Sequence, residues 1–219
     1  MRRVSMEYVC WMPRRTDMYP GVLLTAANWE LSSAFDSLVY KLISGCISDR
    51  MTRFMKLVTF MGSGWSLTVL AIAIPFSIFI LEKKKYYTVS LMVSLNISVG
   101  ALLNHILKLI FHRPRPDVNK LIEIGGYSFP SGHSMNSTIF YGFLIYLIFR
   151  YMPSRLRYPL AGILCLLISL IGISRIYLGV HYASDVVAGF VFGLIWLAFF
   201  IPFTERFIMN PGKKAKTQQ

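Results

Sequence analysis

Five long apolar stretches alternate with short polar segments along most of the chain. None of the five contains Lys, Arg, Asp or Glu, and each approaches the roughly 20 residues that a helix needs to cross the hydrocarbon core of a bilayer. They cover residues 65–81, 86–107, 135–149, 158–173 and 186–203. The pattern predicts an all-α fold, a polytopic membrane bundle with five transmembrane helices.

A sixth helical pattern precedes these stretches at residues 31–47, where apolar side chains recur at intervals of three and four. Glu30, Asp36 and Lys41 make it a poor membrane span. We predict an amphipathic helix that lies in the membrane interface, or equally a connecting helix packed on the bundle. A further span at residues 22–39 would have to bury Glu30 and Asp36.

The composition supports membrane insertion, because 55% of the residues are hydrophobic and 15% are charged. We divide the single domain into an N-terminal segment at 1–56, a membrane core at 57–204 and a basic tail at 205–219. The net charge of +13 comes largely from basic residues in short segments between or after the spans, so we do not expect nucleic acid as a partner. Three such groups lie at residues 83–85, 150–157 and 213–216.

If the spans alternate in direction, these three basic groups fall on one side of the membrane, which the positive-inside rule assigns to the cytoplasm. Three polar clusters then meet on the opposite side. They are Lys108 with Arg115 and Pro116, residues 130–133, and Ser174 and Arg175 with His181 and Asp185. We therefore expect one site at the extracytoplasmic face of the cell membrane, because ionisable residues beside membrane spans are usually functional.

The cations of these clusters suit a phosphate group. Lys108 supplies a compact charge, while Arg115 and Arg175 supply planar forks that grip phosphate oxygens. Taken singly, each of the three is better explained by snorkelling at the membrane boundary.

The sequence Pro130-Ser131-Gly132-His133 directly precedes the third span. Its backbone N–H groups should form the open start of a helix, where an anion is favoured. Ser131 adds a hydroxyl group and Gly132 permits close approach, although Ser131 is equally readable as an ordinary helix cap.

His181 and Asp185 lie four residues apart, which on a helix places them on one face. The carboxylate can then orient the imidazole, whose free nitrogen is a nucleophile, while His133 acts as the general acid. A zinc-type site formed by His133, His181 and Asp185 is the alternative, but it would not need three converging cations. His105 and His112 are better explained as packing or surface residues.

Together these residues resemble the signature of the type 2 phosphatidic acid phosphatase family. That signature is Lys, six residues, Arg-Pro; then Pro-Ser-Gly-His; then Ser-Arg, five residues, His, three residues, Asp. The matching positions are Lys108, Arg115 and Pro116, then residues 130–133, then Ser174, Arg175, His181 and Asp185.

The resemblance implies a six-helix pattern and catalysis without a metal or other cofactor. It implies that His181 is the nucleophile, Asp185 its partner and His133 the acid, and that the phosphate is bound by Lys108, Arg115, Ser131, Gly132 and Arg175. We expect a lipid phosphatase that acts through phosphohistidine on phosphatidylglycerol phosphate, phosphatidate or undecaprenyl diphosphate. The alternative is a non-catalytic phospholipid-binding or transport protein that retains the phosphate site.

Overall fold

The computed structural model of the protein describes residues 33–82, 87–117 and 120–209, and these residues form helices and loops without a strand. The predicted all-α fold is therefore confirmed. The helices are α1 (residues 33–44), α2 (Asp49–Met61), α3 (Gly64–Glu82), α4 (Tyr87–Phe111), α5 (Gly132–Tyr151), α6 (Ser154–Tyr177) and α7 (Ala183–Met209). The basic groups at 83–85 and 213–216, and most of the candidate span at 22–39, lie outside the described residues.

Within the described part of the chain, α4, α6 and α7 are each long and apolar enough to cross a membrane. The pair formed by α2 and the first part of α3 meets the same criterion only when its two helices, bent by 47°, are taken together. The first turns of α5 are polar, with His133, Ser134 and Asn136 among their residues, which explains why α5 is not in this group. The membrane bundle is confirmed, and the count of five spans stays a prediction.

The central helix of the bundle is α5, which packs against α3, α4, α6 and α7. Its Met135, Ile139 and Phe143 are buried in the core beside Ile171 of α6 and Leu197 of α7. The outer faces are also apolar, and their exposed side chains include Trp65, Ile72, Ile163 and Phe199. Apolar residues on both the inner and the outer faces are the arrangement expected of helices surrounded by lipid.

A buried amide links three of the helices in the middle of the bundle. Asn96 of α4 donates from Nδ2 to the Ile139 carbonyl of α5 at 2.9 Å, and its Oδ1 accepts from Trp196 Nε1 of α7 at 2.8 Å. In an apolar interior such a side chain is costly unless it is hydrogen-bonded. Asn96 therefore fixes the register of α4, α5 and α7.

Small residues bring α7 close to α5 near one end of the bundle. A Cβ atom added at Gly189 would lie 2.8 Å from the Ser131 carbonyl oxygen, and one at Gly193 would lie 2.7 Å from Thr138 Cβ. Glycines four residues apart are a common means of close helix packing in membranes. The same approach places Asp185 beside the start of α5, where Ser131 N donates to the Asp185 carbonyl at 3.0 Å.

The predicted amphipathic helix is present as α1. Its Val39, Tyr40 and Ile43 pack against α6 and α7, while Phe35 and Leu38 are exposed. Thus α1 covers the end of the bundle where α6 ends and α7 begins.

We predict that Gly189→Ala lowers the free energy of unfolding by about 1–3 kcal/mol, because backbone atoms of α5 must move to admit the methyl group. The thermal unfolding midpoint in detergent measures this effect. Gly162→Ala on α6 is the matched control, since nothing lies within 4 Å of its added Cβ. Equal midpoints for the two variants would contradict close packing at Gly189.

Candidate active site

The polar clusters converge at one end of the bundle. The C-terminal ends of α4 and α6 and the N-terminal ends of α5 and α7 meet there, and the loop between α4 and α5 crosses the same region. Ser128 N donates to the Arg113 carbonyl at 2.8 Å, and Leu121 N donates to the Leu178 carbonyl at 3.1 Å. These backbone bonds fix the loop against itself and against the end of α6.

His181 and Asp185 meet, but not on the face of one helix as predicted from their spacing. His181 lies in the turn before α7, whereas Asp185 lies in the first turn of that helix. The turn brings His181 Nδ1 to 3.4 Å from Asp185 Oδ2. The contact arises because the chain turns back over the N-terminus of α7, not from helical periodicity.

The Asp185 carboxylate is fully buried and accepts several other hydrogen bonds. Oδ2 accepts from Ser128 Oγ at 2.5 Å and from the Tyr182 backbone N–H at 3.0 Å, while Oδ1 accepts from Arg113 Nη1 at 2.5 Å. Sequence reasoning missed Ser128 and Arg113, since neither has a spacing that sets it apart from ordinary loop residues. Their donors hold Asp185 in one orientation beneath His181.

The other ring nitrogen of His181 faces Arg115. Arg115 Nη1 lies 3.2 Å from His181 Nε2 and also donates to the Val180 carbonyl at 2.9 Å. An arginine N–H can only donate, so Nε2 accepts and the ring proton is on Nδ1, toward Asp185. Burial lowers the pKa of His181 to about 4, although the Asp185 carboxylate opposes the shift. At neutral pH the imidazole is therefore uncharged, and the electron pair of Nε2 is directed at Arg115.

The three predicted cations lie close to one another at this end of the bundle. Arg115 also donates to the Gly125 and Gly126 carbonyls, each at 3.0 Å, and burial lowers its pKa. Lys108 Nζ donates to the Tyr127 carbonyl at 2.7 Å and lies within electrostatic range of Arg115 and Arg175. Positively charged side chains this close together repel one another unless an anion binds between them.

Arg175 is almost completely buried in the last turn of α6. Its Nη1 donates to Thr59 Oγ1 of α2 at 2.7 Å, whereas its buried Nε has no hydrogen-bond partner among the described residues. Thr59 is a third residue that the sequence did not reveal, because a threonine on an amphipathic helix gives no signal of its own. Through it, α2 orients one of the three cations.

The start of α5 completes the site. Ser131 is the N-cap, and its Oγ accepts from Ser134 Oγ at 3.0 Å. A side chain at Gly132 would place Cβ 3.0 Å from Asn104 Oδ1 and 3.9 Å from Lys108 Cε, so glycine lets α4 and its lysine lie against this turn. His133 follows in the first turn, within electrostatic range of Arg175, His181, Arg115 and Lys108.

The structure thus brings together the predicted site residues at one place. They are Lys108, Arg115, Ser131, Gly132, His133, Arg175, His181 and Asp185. The arrangement pairs an uncharged imidazole with three cations and a helix N-terminus, which suits an oxyanion beside Nε2. Among the described residues, no group of three or more His, Cys, Asp or Glu side chains is positioned to hold a metal ion.

The chain belongs to the PAP2 superfamily, whose family model matches residues 87–209, more than half of its length. It is 41% identical over 99 residues to phosphatidylglycerophosphatase B of Bacillus subtilis, a match that covers 43% of this chain and 47% of that protein. It is also 30% identical over 83 residues to lipid phosphate phosphatase delta of Arabidopsis thaliana, covering 36% of this chain and 20% of that protein. The matches therefore span less than half the length of these curated relatives.

Solved structures share the fold over a larger part of the chain. A crystal structure of a transmembrane PAP2 type phosphatidylglycerolphosphate phosphatase from Bacillus subtilis superposes with a TM-score of 0.76 at 30% identity, covering 85% of this chain and 92% of that one. Aquifex aeolicus LpxE superposes with a TM-score of 0.58 at 26% identity, covering 74% and 92%. The family match includes all the predicted site residues, whereas Thr59 lies before its first matched residue.

We predict that Thr59→Val weakens binding of inorganic phosphate about tenfold, since it removes a hydrogen bond to a buried cation worth roughly 1.5 kcal/mol. Titration calorimetry on the detergent-solubilised protein measures the dissociation constant. Thr52→Val is the matched control, because Thr52 lies on the same helix and its hydroxyl contacts Tyr177 instead. An unchanged affinity in Thr59→Val would show that Thr59 does not orient Arg175.

Proposed function

We propose that the protein is an integral-membrane lipid phosphatase that removes the terminal phosphate of a phospholipid or an isoprenoid diphosphate. The observation that carries this proposal is the position of His181. Its Nε2 faces Arg115, and its Nδ1 faces the buried Asp185 carboxylate. A nucleophile oriented in this way, next to cations that hold the phosphate, has the parts that phosphoryl transfer requires.

In the first proposed step, Arg115 Nη1 turns from His181 Nε2 to a phosphate oxygen, Nε2 attacks the phosphorus atom, and the bond from phosphorus to the leaving oxygen breaks. His133, in its protonated form, gives its proton to that oxygen, so the dephosphorylated lipid leaves neutral at this position. Asp185 stabilises the positive charge that develops on the ring. Lys108, Arg115 and Arg175 stabilise the charge on the equatorial oxygens, with the Ser131 hydroxyl and the Gly132 backbone N–H.

In the second proposed step, water attacks the phosphohistidine. His133 now takes the proton from that water, the bond from phosphorus to Nε2 breaks, and inorganic phosphate is released. His181 returns to its uncharged form and His133 to its protonated form. Apart from water, both steps use only groups of this chain, so we propose that the reaction needs no metal ion.

The candidate substrates are phosphatidylglycerol phosphate, phosphatidate and undecaprenyl diphosphate. The name of the Bacillus relative supports the first, and the broader family resemblance supports the other two. We place the site on the extracytoplasmic face of the cell membrane, since Arg150 at the end of α5 and Arg155 and Arg157 at the start of α6 lie at the opposite end of the bundle.

The test is phosphate release from each of the three lipids by the purified protein in detergent, with excess chelator present. We expect turnover of at least one lipid, a rate unaffected by the chelator, and a loss of about a thousandfold or more in His181→Ala. His105→Ala is the control, because His105 is exposed on the outer face of α4; its rate should stay within about twofold of the unmodified protein.

Three results would count against parts of this proposal. Loss of activity with the chelator would contradict the metal-free reaction, and full activity in His181→Ala would contradict the nucleophile. Lipid binding without turnover would favour a phospholipid-binding or transport protein.

A further inference from the structure

An aspartate outside the signature is buried beside the candidate site. Asp36 of α1 is 6% exposed, and its Oδ1 accepts from the Ser184 backbone N–H at 2.7 Å. Its Oδ2 accepts from Ser184 Oγ at 2.8 Å and from Arg113 Nη2 at 2.9 Å. The Asp36 carboxylate, which makes the 31–47 segment a poor membrane span, is thus hydrogen-bonded to the N-terminus of α7.

Arg113 joins this carboxylate to Asp185. The guanidinium is 5% exposed, and it donates from Nη2 to Asp36 and from Nη1 to Asp185 Oδ1. Its Cζ atom lies 4.0 Å from the ring centroid of Tyr182, which packs against one face of the guanidinium. A planar fork with two carboxylates on its two nitrogens has little freedom to rotate.

A buried ion pair of this kind could be only structural. Two features indicate that this pair also affects the active site. Arg113 contacts the same carboxylate that holds His181, and the oxygen it uses is the one that Ser128 and the Tyr182 N–H leave free. A shift of α1 would therefore rotate Asp185 and move His181 Nδ1 with it.

We propose that Asp36 and Arg113 are a positioning pair, which fixes the orientation of Asp185 and shares its charge, so that α1 sets the rate of the reaction at His181. The proposal rests on the function proposed above. Neither residue touches the phosphate; both act through Asp185. The amphipathic helix α1 then helps to orient the active-site residues and is not only a connecting segment.

The charges of Asp36 and Arg113 predict how each substitution changes the pH dependence of kcat/KM. Arg113 offsets part of the negative charge near His181, so its removal favours the protonated imidazole and raises the pKa of His181. Removal of the Asp36 charge acts in the opposite direction. The other ionisable groups around the imidazole are unchanged in both variants; they are Lys108, Arg115, His133, Arg175 and Asp185.

The experiment compares Asp36→Asn, Arg113→Gln and the double variant with the unmodified protein, using the lipid that it hydrolyses best. Asp36→Asn is the conservative choice, because the amide oxygen can still accept from the Ser184 N–H. Asp117→Asn is the matched control, since Asp117 is an exposed aspartate that pairs with Lys120 at the surface. Thermal unfolding and gel filtration in detergent give the folded fraction of each variant.

We expect kcat to fall about tenfold or more in each single variant, with KM within about threefold because Lys108, Arg115 and Arg175 still bind the phosphate. The double variant should be no worse than the poorer single one, as for residues that act as a unit. The acidic limb of kcat/KM should move up by about one pH unit in Arg113→Gln and should not move up in Asp36→Asn. The substrate ionises in the same way in the assays of the unmodified protein and of every variant, so its effect cancels in this comparison.

Two results would overturn the proposal. One is a kcat within about twofold of the unmodified protein in both single variants. The other is a loss of kcat that only follows the folded fraction, with no shift in the pH profile of Arg113→Gln, which would make the pair structural. If the unmodified protein itself releases no phosphate, the proposed function fails and this inference with it, whereas an active protein with unaffected variants overturns the positioning pair alone.

Discussion

The hydrogen bonds to the Asp185 carboxylate are the constraint on which the rest of the active end depends. A buried carboxylate is costly unless its oxygens are satisfied, and here the donors come from separate parts of the chain. Arg113 and Ser128 belong to the segment between α4 and α5, while the Tyr182 N–H belongs to the turn before α7. Satisfying this one group therefore fixes the loop, the turn and the imidazole of His181 together.

A separate contact of Asp185, through its backbone carbonyl, explains why helix packing is tight near the site. The carbonyl of Asp185 accepts from Ser131 N, so α7 and the start of α5 must approach closely, and Gly189 removes the side chain that would prevent it. On the other side, Thr59 accepts from Arg175 and draws α2 toward α6. Cations that would repel one another are thus each fixed by an oxygen atom before any phosphate binds.

Much of this arrangement could be predicted from the sequence. Charge-free stretches of near-membrane length located α3 to α7, although not α2, and their alternating direction placed Lys108, Arg115, His133, Arg175 and Asp185 at one end. These inferences succeed because a bilayer restricts the chain to few structures. The polar first turns of α5 show the limit, since a helix surrounded by other helices need not be apolar throughout.

What the sequence did not reveal are the residues that act through tertiary contacts. Asp36, Thr59 and Ser128 have no diagnostic spacing, and each gains its role only where distant segments meet. The contact of His181 is a further example, because helical periodicity correctly predicted Asp185 as its neighbour but wrongly placed both residues on one helix face. A turn, and not a helix face, brings its ring to Asp185.

The central claim is that His181, held by Asp185, carries the phosphoryl group between lipid and water. A single-turnover reaction with lipid labelled in its terminal phosphate, quenched rapidly in alkali, tests it most directly. The account predicts label on the protein at His181 before free phosphate reaches its final level, and no labelled protein in His181→Ala. Free phosphate that appears at the full rate while the protein never carries label would contradict it.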